Sequence, residues 1–171
     1  PINDDPESLR LALEYGKSGQ AVNFEVESGR ITSKVQCIAP KPHEVSIEFP
    51  GLNDTSWKRV LEQAAAGAIY SAKLLSGEFP EIVSEPFDAA GHPLIPSNEE
   101  VRTSCSCGDH SPQKPCRHVV LVSIILLERL EETPDLALLL RGRTGNLFRD
   151  ELQEARMLTT RGVSQAHTNP D

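Results

Sequence analysis

The sequence has 171 residues, of which 38% are hydrophobic and 25% charged, and this length suits one domain or one with a small appendage. Its nearest approach to a membrane span, Val119–Leu127, is far short of the roughly 20 residues a bilayer-crossing helix needs. The net charge of −8 works against a chain whose task is to grip bare nucleic acid, since such binding comes mainly from phosphate neutralisation. Four cysteines in 171 residues are too sparse for a disulfide scaffold and suit a reducing compartment, so the expected location is the cytoplasm. The chain opens on Pro1 and its one methionine is Met157, so further residues are expected upstream.

In chain order, Pro1–Pro6 reads as a polar, frayed start, and Ser8–Tyr15 as a short helix or an edge strand carrying Leu9, Leu11 and Leu13. Three strand-like runs follow. Ala21–Glu27 alternates with Val22, Phe24 and Val26 on one face; a turn at Gly29-Arg30 leads to Ile31–Ala39, with Ile31, Val35 and Cys37 on a face. Beyond Pro40-Lys41-Pro42, a third run presents Val45, Ile47 and Phe49 together. Period-two patterning between turn residues predicts an antiparallel meander. Its expected role is a packing scaffold, with a partner strand added at the edge as the alternative, and Cys37 reads as a small apolar residue within it.

Asp54–Ser76 is the clearest amphipathic helix, with Trp57, Val60, Leu61, Ala64, Ala68, Ala72 and Leu75 at three- and four-residue steps. Asn53 or Asp54 can cap its start and Gly77 can end it. Glu78–Asn98 holds Pro80, Pro86, Pro93 and Pro96 and reads as an irregular connector with a helical turn near Phe87–Ala90. Val119–Glu131 is apolar nearly all round, which predicts deep burial. Thr133-Pro134 starts a short helix to Arg141, Asn146–Arg156 forms a third, and residues 157–171 read as a polar tail without regular structure. The fold class expected is α+β: a small antiparallel meander packed with a long amphipathic helix over 1–98, then a Cys3His finger and helices over 99–156.

The chemistry is concentrated between Arg102 and Val119, in R-T-S-C-S-C-G-D-H-S-P-Q-K-P-C-R-H-V. Cys105, Cys107, Cys116 and His118 fall within fourteen residues, the density of donors a tetrahedral Zn²⁺ site requires. The small Ser106 lets Cys105 and Cys107 aim at one ion, and the Gly- and Pro-bearing loop brings the chain back to it. Cys116 and His118 open an apolar helix, whose free N–H groups offset the charge of about −1 left by three thiolates and Zn²⁺. Four protein donors describe a closed structural zinc site, with no catalytic position open. Other readings are a metal-free thiol cluster, a disulfide framework and a catalytic Cys116–His118 pair. Disulfides fit poorly, because Cys105 and Cys107 are too close for separate bridges and Cys37 is the sole distant partner. Side chains at i and i+2 on a helix diverge, which makes Cys116 and His118 a poor nucleophile–base couple. His110, in Cys107-x-x-His110, competes with His118 for the fourth place.

Cys-x-Cys followed by Cys-x-His leading into an apolar helix resembles the SWIM zinc finger, a module of bacterial proteins associated with Swi/Snf-type helicase-like ATPases. The likeness covers about residues 14–150. It includes T-S-C-S-C at 103–107, P-C-R-H at 115–118 and L-L-L-R-G-R at 138–143, and less specifically G-R-I-T-S-K-V-Q at 29–36 and A-K-L-L-S-G-E at 72–78. The loop G-D-H-S-P-Q-K-P is longer than the family form and lacks its aromatic. The resemblance favours His118 over His110 as ligand and implies a helicase-like ATPase as partner.

Lys114, Arg117, Arg141 and Arg143 are the candidate contacts to nucleic acid or a partner, with Arg141 also reading as a cationic helix end stopped by Gly142. No aromatics interleave with them, so no stacking platform for single strands is predicted. The sequence shows no repeats, Gly-rich phosphate loop or Walker-type lysine. It predicts a non-enzymatic zinc-finger adaptor that binds another protein; a module binding DNA or RNA through the loop and Arg141/Arg143 is the alternative. An enzyme ranks last, since Asp109, His110 and Glu128 form no recognisable catalytic motif.

Overall fold

A computed structural model of the chain describes residue 10 and residues 21–38, 40–76 and 83–167. Apart from Arg10, the expected Ser8–Tyr15 element lies outside the described residues, as does Gly77. The fold is α+β. One antiparallel sheet runs in the order β1 (Ala21–Glu27), β2 (Arg30–Val35), β3 (His43–Glu48) and β4 (Arg102–Cys105). The first three are the meander expected from period-two patterning. The fourth was not anticipated, because R-T-S-C carries no apolar alternation; it pairs with β3 from Glu48↔Arg102 to Val45↔Cys105.

This fourth strand decides how the chain is organised. The chain forms two compact units that interleave along the sequence, residues 1–51 with 96–141, and residues 52–95 with 142–171. A linear division at residue 98 does not describe them, since the finger segment contributes a strand to the sheet built by the first fifty residues.

In the sheet unit, Ile31, Val35, Val45 and Ile47 face Val119, Val120, Leu121, Val122 and Leu126 of a helix, α4, at Arg117–Glu132, with Leu140 completing the core. α4 packs on β3 and β4. The amphipathic segment from Asp54, expected to cover the sheet, belongs to the other unit. In β1 the register shifts between Val22 and Glu25, and Asn23 has φ +54, a left-handed conformation that asparagine tolerates. The bulge breaks the period. Val22 turns outward at 45% exposure, while Ala21, Phe24 and Val26 pack against the core.

The second unit is helical: α1 (Asp54–Ala66), α2 (Ala68–Leu75), α3 (Ser84–Ala89) and α6 (Gly145–His167). Asn53 caps α1 by accepting from the Ser56 amide at 2.9 Å. The single helix expected over Asp54–Ser76 is interrupted at Gly67, which has φ −88 and ψ 101. A glycine inside a helix costs about 1 kcal/mol relative to alanine, and here the Ser71 hydroxyl makes the break durable by contacts to the carbonyls of Ala64 (2.8 Å) and Gly67 (2.7 Å). The helical turn expected near Phe87–Ala90 within the irregular connector is α3, and it supplies core. Phe87 of α3 is fully buried and stands 5.6 Å from Trp57 and 6.2 Å from Phe148, ring centroid to centroid. α6 carries helix to His167, beyond the Arg156 end expected and through part of the presumed irregular tail. The sequence offers no proline over 145–167 to stop it.

A short helix, α5 (Leu136–Leu140), closes the sheet unit, with Arg141 as its C-cap residue. Among the described residues, no helix is long and apolar enough to cross a membrane.

Candidate metal centre

β4 delivers Cys105 at its last residue, paired to Val45, and the ladder is prolonged by Ser106, which donates its amide to the Glu44 carbonyl and accepts the Glu44 amide on its hydroxyl, both at 3.0 Å. The chain then turns at Gly108 with φ +81, a left-handed conformation that suits glycine. Cys107 lies inside that turn. At the far end of the loop, Cys116 is the extended N-cap of α4 with φ −73 and ψ 161, and its carbonyl accepts from the Val120 amide at 3.1 Å. His118 is the second residue of α4, and only 3% of it is exposed.

These two ends meet. Cys105, Cys107, Cys116 and His118 each offer a ligand atom within 4.8 Å of every other, so the four could hold a metal ion together. His118 Nδ1 lies 3.7 Å from Cys105 Sγ and 3.8 Å from Cys116 Sγ. For a tetrahedral ion with metal–sulfur bonds of about 2.3 Å and metal–nitrogen bonds of about 2.0–2.1 Å, a sulfur–nitrogen edge is about 3.6 Å. The observed edges are within tenths of an ångström of that value. Nδ1 therefore faces the ion's place, and Nε2 points elsewhere.

The sulfurs are electrostatically crowded. Cys116 is held far below the usual thiol range, at about 3, chiefly by a hydrogen bond from the Cys105 thiol and, against burial, by His118 and the Val119 amide. Cys105 is pushed up by the same contact with Cys116 and by burial; Cys107 is pushed up mainly by burial. Without a cation the three sulfurs thus differ in their hold on protons, whereas a bound cation would hold all three as thiolates. All four cysteines are free thiols, and none is in a disulfide.

His110 does not join the donors. Its Nε2 lies 3.0 Å from both the hydroxyl and the carbonyl of Thr103, and its Nδ1 accepts the Cys116 amide at 3.4 Å. This histidine braces the loop across the base of the finger. The network assigns the proton to Nε2, the tautomer that can meet a carbonyl.

The chain is 34% identical over 136 residues to a Mycobacterium tuberculosis protein described as Uncharacterized protein Rv2102. The match covers 79% of this chain and 48% of that protein, so the chain spans about half the length of the curated relative it matches. No family model matches the chain, and no solved structure matches it.

The candidate contact cations are dispersed. Lys114 is exposed in the loop and Arg117 is half-buried at the start of α4. Arg141, read as a surface contact in the nucleic-acid alternative, is only 4% exposed and donates through Nη1 to the Pro50 carbonyl. Burial lowers the pKa of its guanidinium, and Glu100 opposes that. Arg143 is engaged in the helical unit, 2.8 Å from Asp54 and 3.4 Å from Glu151, with its guanidinium 5.8 Å from the Trp57 ring centroid. Arginine heads tied in this way bind the fold's own carbonyls and carboxylates instead of phosphate.

Two residues near the centre escaped the sequence reading. Cys37, taken for core filling, and His43, not singled out at all, each bring a ligand atom within 4.8 Å of one another and of His118. The available signal was their position on either side of the Pro40-Lys41-Pro42 turn, where a hairpin brings its flanks together.

Proposed function

We propose that this chain is a SWIM-type zinc module acting as a non-enzymatic adaptor, which binds another protein, a Swi/Snf-type helicase-like ATPase. The observation that carries the metal half is the donor geometry: three sulfurs and one imidazole nitrogen within 4.8 Å of one another, two sulfur–nitrogen edges being near the tetrahedral value, from a strand end, a turn and a helix start. Zn²⁺ favours this mixture, and a site closed by four protein donors supplies cross-linking and no open position for chemistry. Cys105, Cys107, Cys116 and His118 hold the ion. The net charge of −8 and the Cys-x-Cys, Cys-x-His motif support the adaptor half.

The nucleic-acid alternative rests on Lys114, Arg117, Arg141 and Arg143. Of these only Lys114 is fully on the surface, and the burial of Arg141 counts against it.

Two measurements test the reading. Elemental analysis of the purified chain is expected to give one tightly held zinc, lost with His118→Ala. Affinity capture with the full chain, read by mass spectrometry, is expected to enrich a helicase-like ATPase with wild type and not with that variant. A folded, metal-free wild type overturns the zinc assignment. Tight DNA or RNA binding whose affinity falls steeply with salt, with no ATPase captured, overturns the adaptor in favour of the alternative.

A further inference from the structure

The Cys3His centre leaves one nitrogen of His118 unused. Nδ1 faces Cys105 and Cys116, while Nε2 is buried and has no hydrogen-bond partner among the described residues. When Nδ1 binds a metal, the neutral imidazole carries its proton on Nε2, and a buried donor left unpaired destabilises the fold. Something is expected to meet that atom.

What lies nearby is a second donor set. His43, the first residue of β3, stands over His118 with ring centroids 4.6 Å apart and planes tilted by 35°. Cys37 follows the end of β2, and the ligand atoms of Cys37, His43 and His118 all lie within 4.8 Å of one another. Both Cys37 and His43 are half-buried, so solvent reaches them. One thiol and two imidazoles select a borderline-to-soft cation such as Zn²⁺ and discriminate against Mg²⁺ and Ca²⁺, which take oxygen. A tetrahedral site has sulfur–nitrogen edges of about 3.6 Å, so closure needs side-chain movement of about an ångström. Cys37 follows β2 and His43 opens β3, so both flank the turn between the two strands.

We propose that Cys37, His43 and His118 form a second cation position for Zn²⁺, joined to the Cys3His centre through the ring of His118. His118 then bridges the two ions, Nδ1 to the first and Nε2 to the second. As the second ion binds, Cys37 loses its thiol proton and His118 its remaining ring proton, both to solvent. Charge counting is favourable. Zn²⁺ with three thiolates carries about −1, and two Zn²⁺ with four thiolates and one imidazolate also carry about −1. The second ion therefore enters without adding net charge to the buried end of α4. Three protein donors leave its fourth place to water, so it binds at a higher free Zn²⁺ concentration than the first. It would tie the β2–β3 turn to the start of α4. The inference draws on the Cys3His reading only through His118.

The test is equilibrium dialysis of the full chain against buffered Zn²⁺ at rising concentration, with zinc per chain read by elemental analysis. Wild type is expected to rise from one to two, while Cys37→Ser and His43→Ala each stop at one. Cobalt gives a second readout that needs no variant: the second Co²⁺ should couple magnetically to the first through the bridging ring, reducing the electron paramagnetic resonance intensity per ion. Wild type that stops at one overturns the second position and leaves the Cys3His centre intact. A second ion that persists in the Cys37→Ser, His43→Ala double variant overturns it too, as adventitious binding. A folded chain that takes up no zinc overturns both sites.

Discussion

His118 meets two sulfurs through one ring nitrogen, and His110 meets only oxygens and an amide, so the two histidines are expected to respond differently to substitution. His118→Ala removes a ligand and should release the metal, as should Cys105→Ser, Cys107→Ser and Cys116→Ser, each raising hydrogen exchange across residues 99–131. His110→Ala should keep the metal and cost about 1 kcal/mol from the lost loop bonds, read as a lower thermal midpoint at unchanged metal content. Release of metal by the His110 change, and not by the His118 change, would reverse the assignment of the fourth ligand. Glu100 gives a pH-dependent contrast. Its carboxylate accepts the Ser97 amide and hydroxyl, both at 2.9 Å, and the backbone bond and then the side-chain bond lower its pKa. A carboxyl with a lowered folded pKa adds stability above its unfolded value, and loses it as pH falls through the folded one. Acid titration of stability should therefore lose a small component in Glu100→Gln, below the ordinary carboxyl value of 4.5. An unchanged acid limb would mean that the exposed carboxylate is screened by water.

At the scale of elements, local periodicity located most segments and misjudged their continuity. The repeat from Asp54 to Leu75 is helical throughout, yet Gly67 divides it and Ser71 holds the division. Ser71 is fully buried, so Ser71→Ala takes the hydroxyl from the Ala64 and Gly67 carbonyls, of which Gly67 keeps the Ser71 amide, and should cost about 1–3 kcal/mol in denaturant unfolding. A neutral result would indicate that water or a realigned helix serves those carbonyls. β1 shows the opposite fault: its alternation looked regular, but the Asn23 bulge moved Val22 to the surface and brought Ala21 in. β4 had no signal of its own. Its four residues become a strand because β3 offers an open edge to pair with, which is a long-range cause.

For the whole molecule, the metal and the sheet unit should behave as one. The donors come from the end of β4, the turn after it and the start of α4, so an ion there links the last strand of the sheet to the helix that covers it. A strong chelator is expected to lower the thermal midpoint and to raise exchange first in β3, β4 and α4, with refolding on return of Zn²⁺. A midpoint that does not change after confirmed metal loss would show that the hydrophobic core of Ile31, Val45, Val119 and their neighbours suffices alone. Within the helical unit, Trp57, Phe87 and Phe148 form an aromatic core of their own, and its exchange can be followed separately.

The sequence alone determined the donor cluster, because four ligands packed into fourteen residues are a local feature and need no fold to be recognised. It also determined the α+β class and the meander, through periods that short stretches of chain impose on themselves. Only the tertiary structure tied His110 into the loop's own hydrogen bonds, placed Arg141 inside, gave β4 its partner and brought Cys37 and His43 within reach of His118. Each of these depends on residues distant in sequence meeting in space. Spacing along a chain records which side chains are near neighbours, whereas pairing and burial decide which of them share a site.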